Sequence, residues 1–252
     1  MIAPSIGFND CRCIAHGGKL TNFIRRHWYD IGLGLALIAL AWLVLARIEG
    51  LQLILLLNLI VLFLHQFEEY HWPGGFPWIF NEAVRGAGDG PADRYLLNQN
   101  SATFINISGW VFYLLAVLFP SAIWLGLGQV LFGLVGQVIF HGVVANFRLK
   151  SWYNPGLAAV MLGHVPLGIW YIADVTAKGL VHWWDWIFAA LSVGFFSGFI
   201  INVIGFKLLS SKTSPYAFAA EEMGRYDRER RLRRIGITPY PLNGEDVPTG
   251  RG

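Results

Sequence analysis

Histidine 65 is followed three and four residues later by Glu68 and Glu69, in the stretch FLHQFEEYHW over residues 63–72. On a helix, both carboxylates share a face with the imidazole. Imidazole with carboxylate is a donor set for zinc, iron or manganese. The setting makes the group unusual, because Leu51 to Leu64 is apolar except for Gln52 and Asn58. Acids at such a position are costly unless paired, solvated or bound to metal. Three further spans carry compatible residues: Asn106, then Gln137 and His141, then His164. The expectation is a metal set of His65, Glu69, His141 and His164. Glu68 and Glu69 are the candidate catalytic carboxylates, one of them free to act as a general base. Gln137, Asn106 and Asn58 are the expected supports of the ligands. The Glu-x-x-His order of dimetal bundles is reversed here. A divalent ion, iron or zinc, is the cofactor this set implies.

The elements that must position these residues are transmembrane helices. The chain has 252 residues, 55% of them hydrophobic and 14% charged, against about 25% charged in soluble domains. Six apolar segments approach the ~20 residues needed to cross a bilayer: 31–48, 51–70, 101–119, 121–143, 155–176 and 183–209. The predicted fold class is therefore all-α, a polytopic membrane bundle of about six helices. A cytoplasmic N-terminal segment, 1–30, is expected before the bundle of 31–209, and a basic tail, 210–252, after it. Pro120 separates the third segment from the fourth. Asn154 and Pro155 are expected to open the fifth as N-cap and first helical residue. No cleavable leader is expected, since the first apolar run lacks a small-residue cleavage site after it.

Basic residues set the orientation. Lys19, Arg25, Arg26, Arg85, Arg94, Arg148, Lys150 and the arginine-rich tail fall on one side, against Arg47 and Lys178 on the other. By the positive-inside rule both termini are cytoplasmic. His65 then lies ~21 Å along its helix from Leu51, in the cytoplasmic third, and His164 lies ~14 Å below the cytoplasmic start of its own. Trp28, Tyr29, Trp72, Trp78, Trp152 and Tyr153 are expected at that interface, and Trp183, Trp184 and Trp186 at the opposite one. Residues 72–100 read as a Gly- and Pro-rich interfacial loop. In the tail, Glu221 with Arg225, Asp227 with Arg231, and Glu229 with Arg233 suggest a solvated helix resting on anionic lipid, with disorder from Pro239 onward. Cys11 and Cys13, near His16, read as thiols in a flexible tail.

The ordered set HQFEEY, Pro73, Gln137, His141, Tyr153, Pro155 and Gly156 resembles the HXXEE family of bacterial integral membrane proteins, over about residues 60–175. That family typically has asparagine where this chain has Gln137. The resemblance implies that His65, Glu68, Glu69 and His141 belong together and that they bind metal, and it supplies no substrate.

Several chemistries are excluded by their motifs. HExxH, GxSxG, the P-loop and GxGxxG are all absent. No aromatic or folded motif accompanies the basic tail, so no nucleic-acid partner is expected. The leading expectation is a metal-dependent membrane enzyme acting on a lipid or another apolar molecule, by oxidation or hydrolysis. A transporter of metal ions or protons requires polar residues through the outer half as well, where Ile31–Arg47 and Trp110–Gly136 hold no acid or histidine. A structural subunit locked by its polar cluster is the remaining alternative.

Overall fold

A computed structural model describes residues 18–86 and 90–242; Cys11, Cys13, His16 and the residues after 242 lie outside that range. Among the described residues every regular element is helical. Six helices are long and apolar enough to cross a membrane: Lys19–Leu45, Gly50–Tyr70, Gln99–Leu118, Ile123–Leu149, Leu157–Ala177 and Trp183–Leu208. They are the first to sixth spans below, and they make this an integral membrane protein. The first helix starts well before the expected position 31, because Arg25 is accommodated within it. Arg25 is buried, bonds Asn22 and Asn100, and lies 4.0 Å over the Tyr216 ring.

The second span is the central helix. It packs against the first, third and fifth spans and buries Ile54, Leu55, Leu56, Leu59, Leu62 and Phe63. The sixth span is mostly exposed along its length, as an outer helix facing lipid would be. The fourth, fifth and sixth spans each contain wide π-type turns, over Phe132–Ala145, Val160–His164 and Phe196–Leu208. Such turns shift side chains off the 3.6-residue period and recur at functional sites.

The fourth and sixth spans pack closely where Ile123–Leu131 meets Trp183–Phe195, and they part over their π-type halves. Phe132 and Phe196 meet edge to face at 5.1 Å where the parting begins. On the other side of the bundle, Leu55, Val117, Leu127, Tyr171 and Val175 are fully buried in one apolar core.

The extramembrane segments are better ordered than their composition suggests. After the second span, short helical turns at Phe76–Trp78 and Ile79–Val84 place Glu82 in the interior. The tail folds onto them. Arg228 is buried and holds Glu82 through two bonds, Nε to Oε2 at 2.6 Å and Nη2 to Oε1 at 2.8 Å. Tyr240 closes the group, its N–H donating to Glu82 and its carbonyl accepting from Arg228. The tail is thus not a single solvated helix. Tyr226 and Asp227 adopt left-handed backbone conformations, with φ of 57° and 60°, which break it between Ala220–Gly224 and Arg228–Arg234. Met223 and Leu232 are buried beneath it, and Pro239–Leu242 are placed rather than disordered. Two expected interface tryptophans are also core residues: Trp28 and Trp78 are fully buried, Trp78 donating to the Arg225 carbonyl. Trp72, Trp152 and Trp183 are strongly exposed, as residues of an aromatic belt would be.

Candidate metal centre

His65, Glu69 and His141 converge. One ligand atom from each lies within 4.8 Å of the others, and all three residues are buried. Glu69 Oε1 stands 3.2 Å from His141 Nε2 and 3.6 Å from His65 Nε2. Donors ~2.1 Å from a tetrahedral zinc are about 3.4 Å apart, so this spacing fits a small divalent ion.

Hydrogen bonds decide which nitrogen of each ring is free. His65 Nδ1 lies 3.0 Å from the Gly156 carbonyl, an acceptor only, so Nδ1 carries the proton. His141 Nδ1 lies 2.7 Å from Asn154 Oδ1. That amide is oriented by its own donors: Asn154 Nδ2 bonds the His141 carbonyl and Asn146 Oδ1. His164 follows the same rule one step removed. Gln129 Nε2 donates to the Leu55 and Tyr113 carbonyls, so its Oε1 accepts from Asn58 Nδ2. Asn58 Oδ1 therefore accepts from His164 Nδ1 at 2.6 Å. All three rings are held as the Nδ1–H tautomer, with the Nε2 lone pair available for metal. The Nε2 atoms of His141 and His164 are buried without any hydrogen-bond partner. Glu69 is near His141 Nε2 but not aligned as its hydrogen-bond acceptor. A lone pair and a carboxylate oxygen therefore face one gap, and a cation satisfies both.

The other expected site residues are distributed around this group. His164 packs behind His65, ring centroids 5.8 Å apart, and stays outside the convergent three. Its ring lies so near Gly133 that a Cβ there would come within 2.9 Å of it. Gln137 and Asn106 line the adjoining cavity, Asn106 donating to the Ala102 carbonyl. Asn58 belongs to the His164–Gln129 network, deeper in the core.

Glu68 turns away from the cluster. Its oxygens accept from the Ala158 and Ala159 N–H groups, at 3.1 and 2.9 Å, and from the Tyr153 hydroxyl at 2.8 Å. These are the first amides of the fifth span, which has no capping side chain of its own. Glu68 thus caps a neighbouring helix, where its charge also complements the positive helix end. Burial, followed by the bond to Glu68 and its charge, raises the Tyr153 pKa, keeping that hydroxyl a donor. The expected N-cap, Asn154, instead serves His141, and Gly156 precedes the helix with φ of 100°. A Cβ at Gly156 would come within 2.6 Å of the His141 ring and 2.8 Å of the His65 ring. This turn therefore supplies His65 with a carbonyl and leaves the rings room. The Tyr-x-Pro-Gly segment is the one sequence signal that points to Asn154 and Gly156 as supports of the rings.

A cavity of about 250 Å³ adjoins the cluster. Its walls are mainly apolar, with Leu62, Phe80, Phe132, Phe140 and Phe206 among them, and His65, Glu69 and His141 form one side. Pockets of a few hundred Å³ with a few convergent polar groups are the usual form of a small-molecule site.

Six apolar helices with a histidine–carboxylate group between them define a polytopic helical membrane protein with a potential metal centre. Within that class, residues 56–171 match the family model described as a protein of unknown function with HXXEE motif. The match includes His65, Glu68, Glu69, His141 and His164. No curated protein and no solved structure matches the chain.

Proposed function

We propose that this protein is a metal-dependent membrane enzyme that transforms a lipid or similarly apolar molecule at a site near the cytoplasmic leaflet. The observation supporting it most strongly is the pair formed by the unpartnered His141 Nε2 and the unaligned Glu69 oxygen 3.2 Å away, beside an apolar cavity. His65, His141 and Glu69 are the ligands, and the free Nε2 of His164 is an additional nitrogen behind them. Two histidines and a carboxylate suit both hydrolytic zinc and non-haem iron, so the donor set supports hydrolysis and oxidation alike. A bound metal would supply a Lewis acid with positions open to substrate. The protein's own part is to hold three lone pairs in place through Gly156, Asn154 and Asn58, and to exclude water with the aromatic walls. Basic residues on the side of both termini favour a cytoplasmic orientation. The filled apolar core of the other half favours a one-sided site over a conduit.

The test is reconstitution in vesicles of a total lipid extract, loaded separately with zinc and with ferrous iron under air, followed by mass spectrometry of the lipids. A mass change made by the wild type and not by His141→Ala is expected, and it identifies the reaction. Identical lipid profiles for both proteins under both metals would refute the enzymatic reading.

A further inference from the structure

The cavity has a side facing lipid. Gly136 and Gln137 on the fourth span and Ser197 and Ile201 on the sixth are half-exposed residues of its lining, at the level where those spans part. Val135, Ile139, Val143 and Phe199 beside them are exposed and apolar, as at a surface in contact with hydrocarbon. Toward the aqueous end the cavity is lined by aromatic rings. Phe76 and Phe80 form the wall there, and the tail is fixed behind them by the Arg228–Glu82 pair and the Trp78–Arg225 bond. A molecule therefore reaches the cluster sideways, from the bilayer.

A charge lies against two walls of the cavity. The Arg85 guanidinium lies 5.5 Å from the Phe80 ring centroid and 5.8 Å from that of Phe206, both of them cavity walls. Arg85 is exposed, and among the described residues no carboxylate pairs with it. Depth sets what part of a molecule would meet the cluster. The second span has 21 residues, so it measures ~31 Å, about the thickness of the hydrocarbon core. Glu69 is one residue from its end, and His65 is ~7.5 Å inside it. The site is thus level with the junction between a lipid's head and its chains.

We propose, building on the metal-centre reading, that the substrate is an anionic phospholipid. One acyl chain enters between the fourth and sixth spans, the phosphate rests on Arg85, and the head–chain junction meets Glu69, His65 and His141. Arginine suits a phosphate through paired N–H donors, and with no carboxylate of the described residues beside it, its charge favours a headgroup of net negative charge over one whose phosphate is offset by an ammonium. An apolar chain replaces lipid contacts with Phe and Leu contacts in the cavity, so its transfer needs no desolvation of polar groups.

Photocrosslinking in vesicles tests this. The probes are phosphatidylglycerol and phosphatidylcholine, each with a diazirine in one acyl chain, and the free diazirine fatty acid as a third arm. A side chain at Gly136 is sterically admissible, since a Cβ there meets only Phe132 carbons at 3.7 Å and beyond. Gly136→Leu would project into the cavity. For the wild type, phosphatidylglycerol should label residues 132–140 and 196–206 several-fold more than the other two probes. Gly136→Leu should lower that labelling about tenfold, and Arg85→Gln should remove the preference over phosphatidylcholine. Labelling unaffected by Gly136→Leu would overturn the proposal, as would equal wild-type labelling by both phospholipids or stronger labelling by the fatty acid. Metal content measured on the same samples separates this result from the metal reading, because a Cβ at Gly136 meets only Phe132 and none of the ligand residues.

Discussion

Replacing Asn154 with leucine removes the acceptor that fixes His141 while keeping nearly the same volume. His141 Nδ1 then loses its partner at 2.7 Å, and the His141 carbonyl loses the Asn154 Nδ2 donor, also at 2.7 Å. Partners of this kind typically contribute 10–100-fold in metal affinity, or about 1.4–2.7 kcal/mol. The buried groups left unpaired cost stability as well, about 1–3 kcal/mol each, so affinity and folding must be read separately. Asn154→Asp separates them. It retains an acceptor for Nδ1–H but loses both donors, so it shares the folding defect without releasing the ring. Competition with a chromogenic chelator, on protein in detergent, gives the affinities; thermal unfolding without metal gives the stabilities. Asn154→Leu should weaken metal binding at least tenfold, while Asn154→Asp binds at least as tightly as wild type despite a lowered Tm. Equal losses of affinity in the two variants would refute the tautomer argument, since a merely structural residue would not discriminate between them.

Three further outcomes follow from the same contacts. Glu68→Ala should destabilise the fold by the ~0.5–2 kcal/mol of a lost helix cap, read as a lowered Tm, and part of the loss should return in Glu68→Gln, whose one amide oxygen can still accept from one of the two N–H groups. Gly156→Ala should weaken metal binding more than Asn154→Leu does, as measured by the same chelator competition, because its Cβ would displace both imidazoles and sit at a φ that L-residues avoid. Arg228→Met should release the tail by leaving Glu82 buried and unpaired, a change worth about 3–5 kcal/mol. Limited proteolysis should then cut near residue 225 in the variant under conditions that leave the wild type intact.

The sequence pattern carried the membrane class and the centre of the site, and specific physical effects hid the rest. Long apolar runs are read directly as spans, and the i, i+4 spacing of His65 and Glu69 survives in the bundle. The same rule could not assign Glu68. At 100° per residue, Glu68 and Glu69 flank His65 on opposite sides, so one points into the cluster and the other toward the fifth span. Asn154 read as a helix cap because Asn-Pro has that preference, and only the neighbouring helix reveals that Glu68 takes the role. His164 lies within a π-type turn and finds Asn58, a pairing that a regular period does not forecast. Arg228 and Glu82 are 146 residues apart, and nothing local in a basic tail distinguishes a buried arginine from a solvated one.

The most direct test uses the two adjacent acids. Wild-type, Glu69→Ala and Glu68→Ala proteins are purified in detergent, loaded with zinc or ferrous iron, dialysed and analysed for bound metal. The geometry predicts one equivalent in the wild type and in folded Glu68→Ala, and almost none in folded Glu69→Ala. Metal absent from all three, or lost equally with either glutamate, would contradict a centre built on His65, Glu69 and His141.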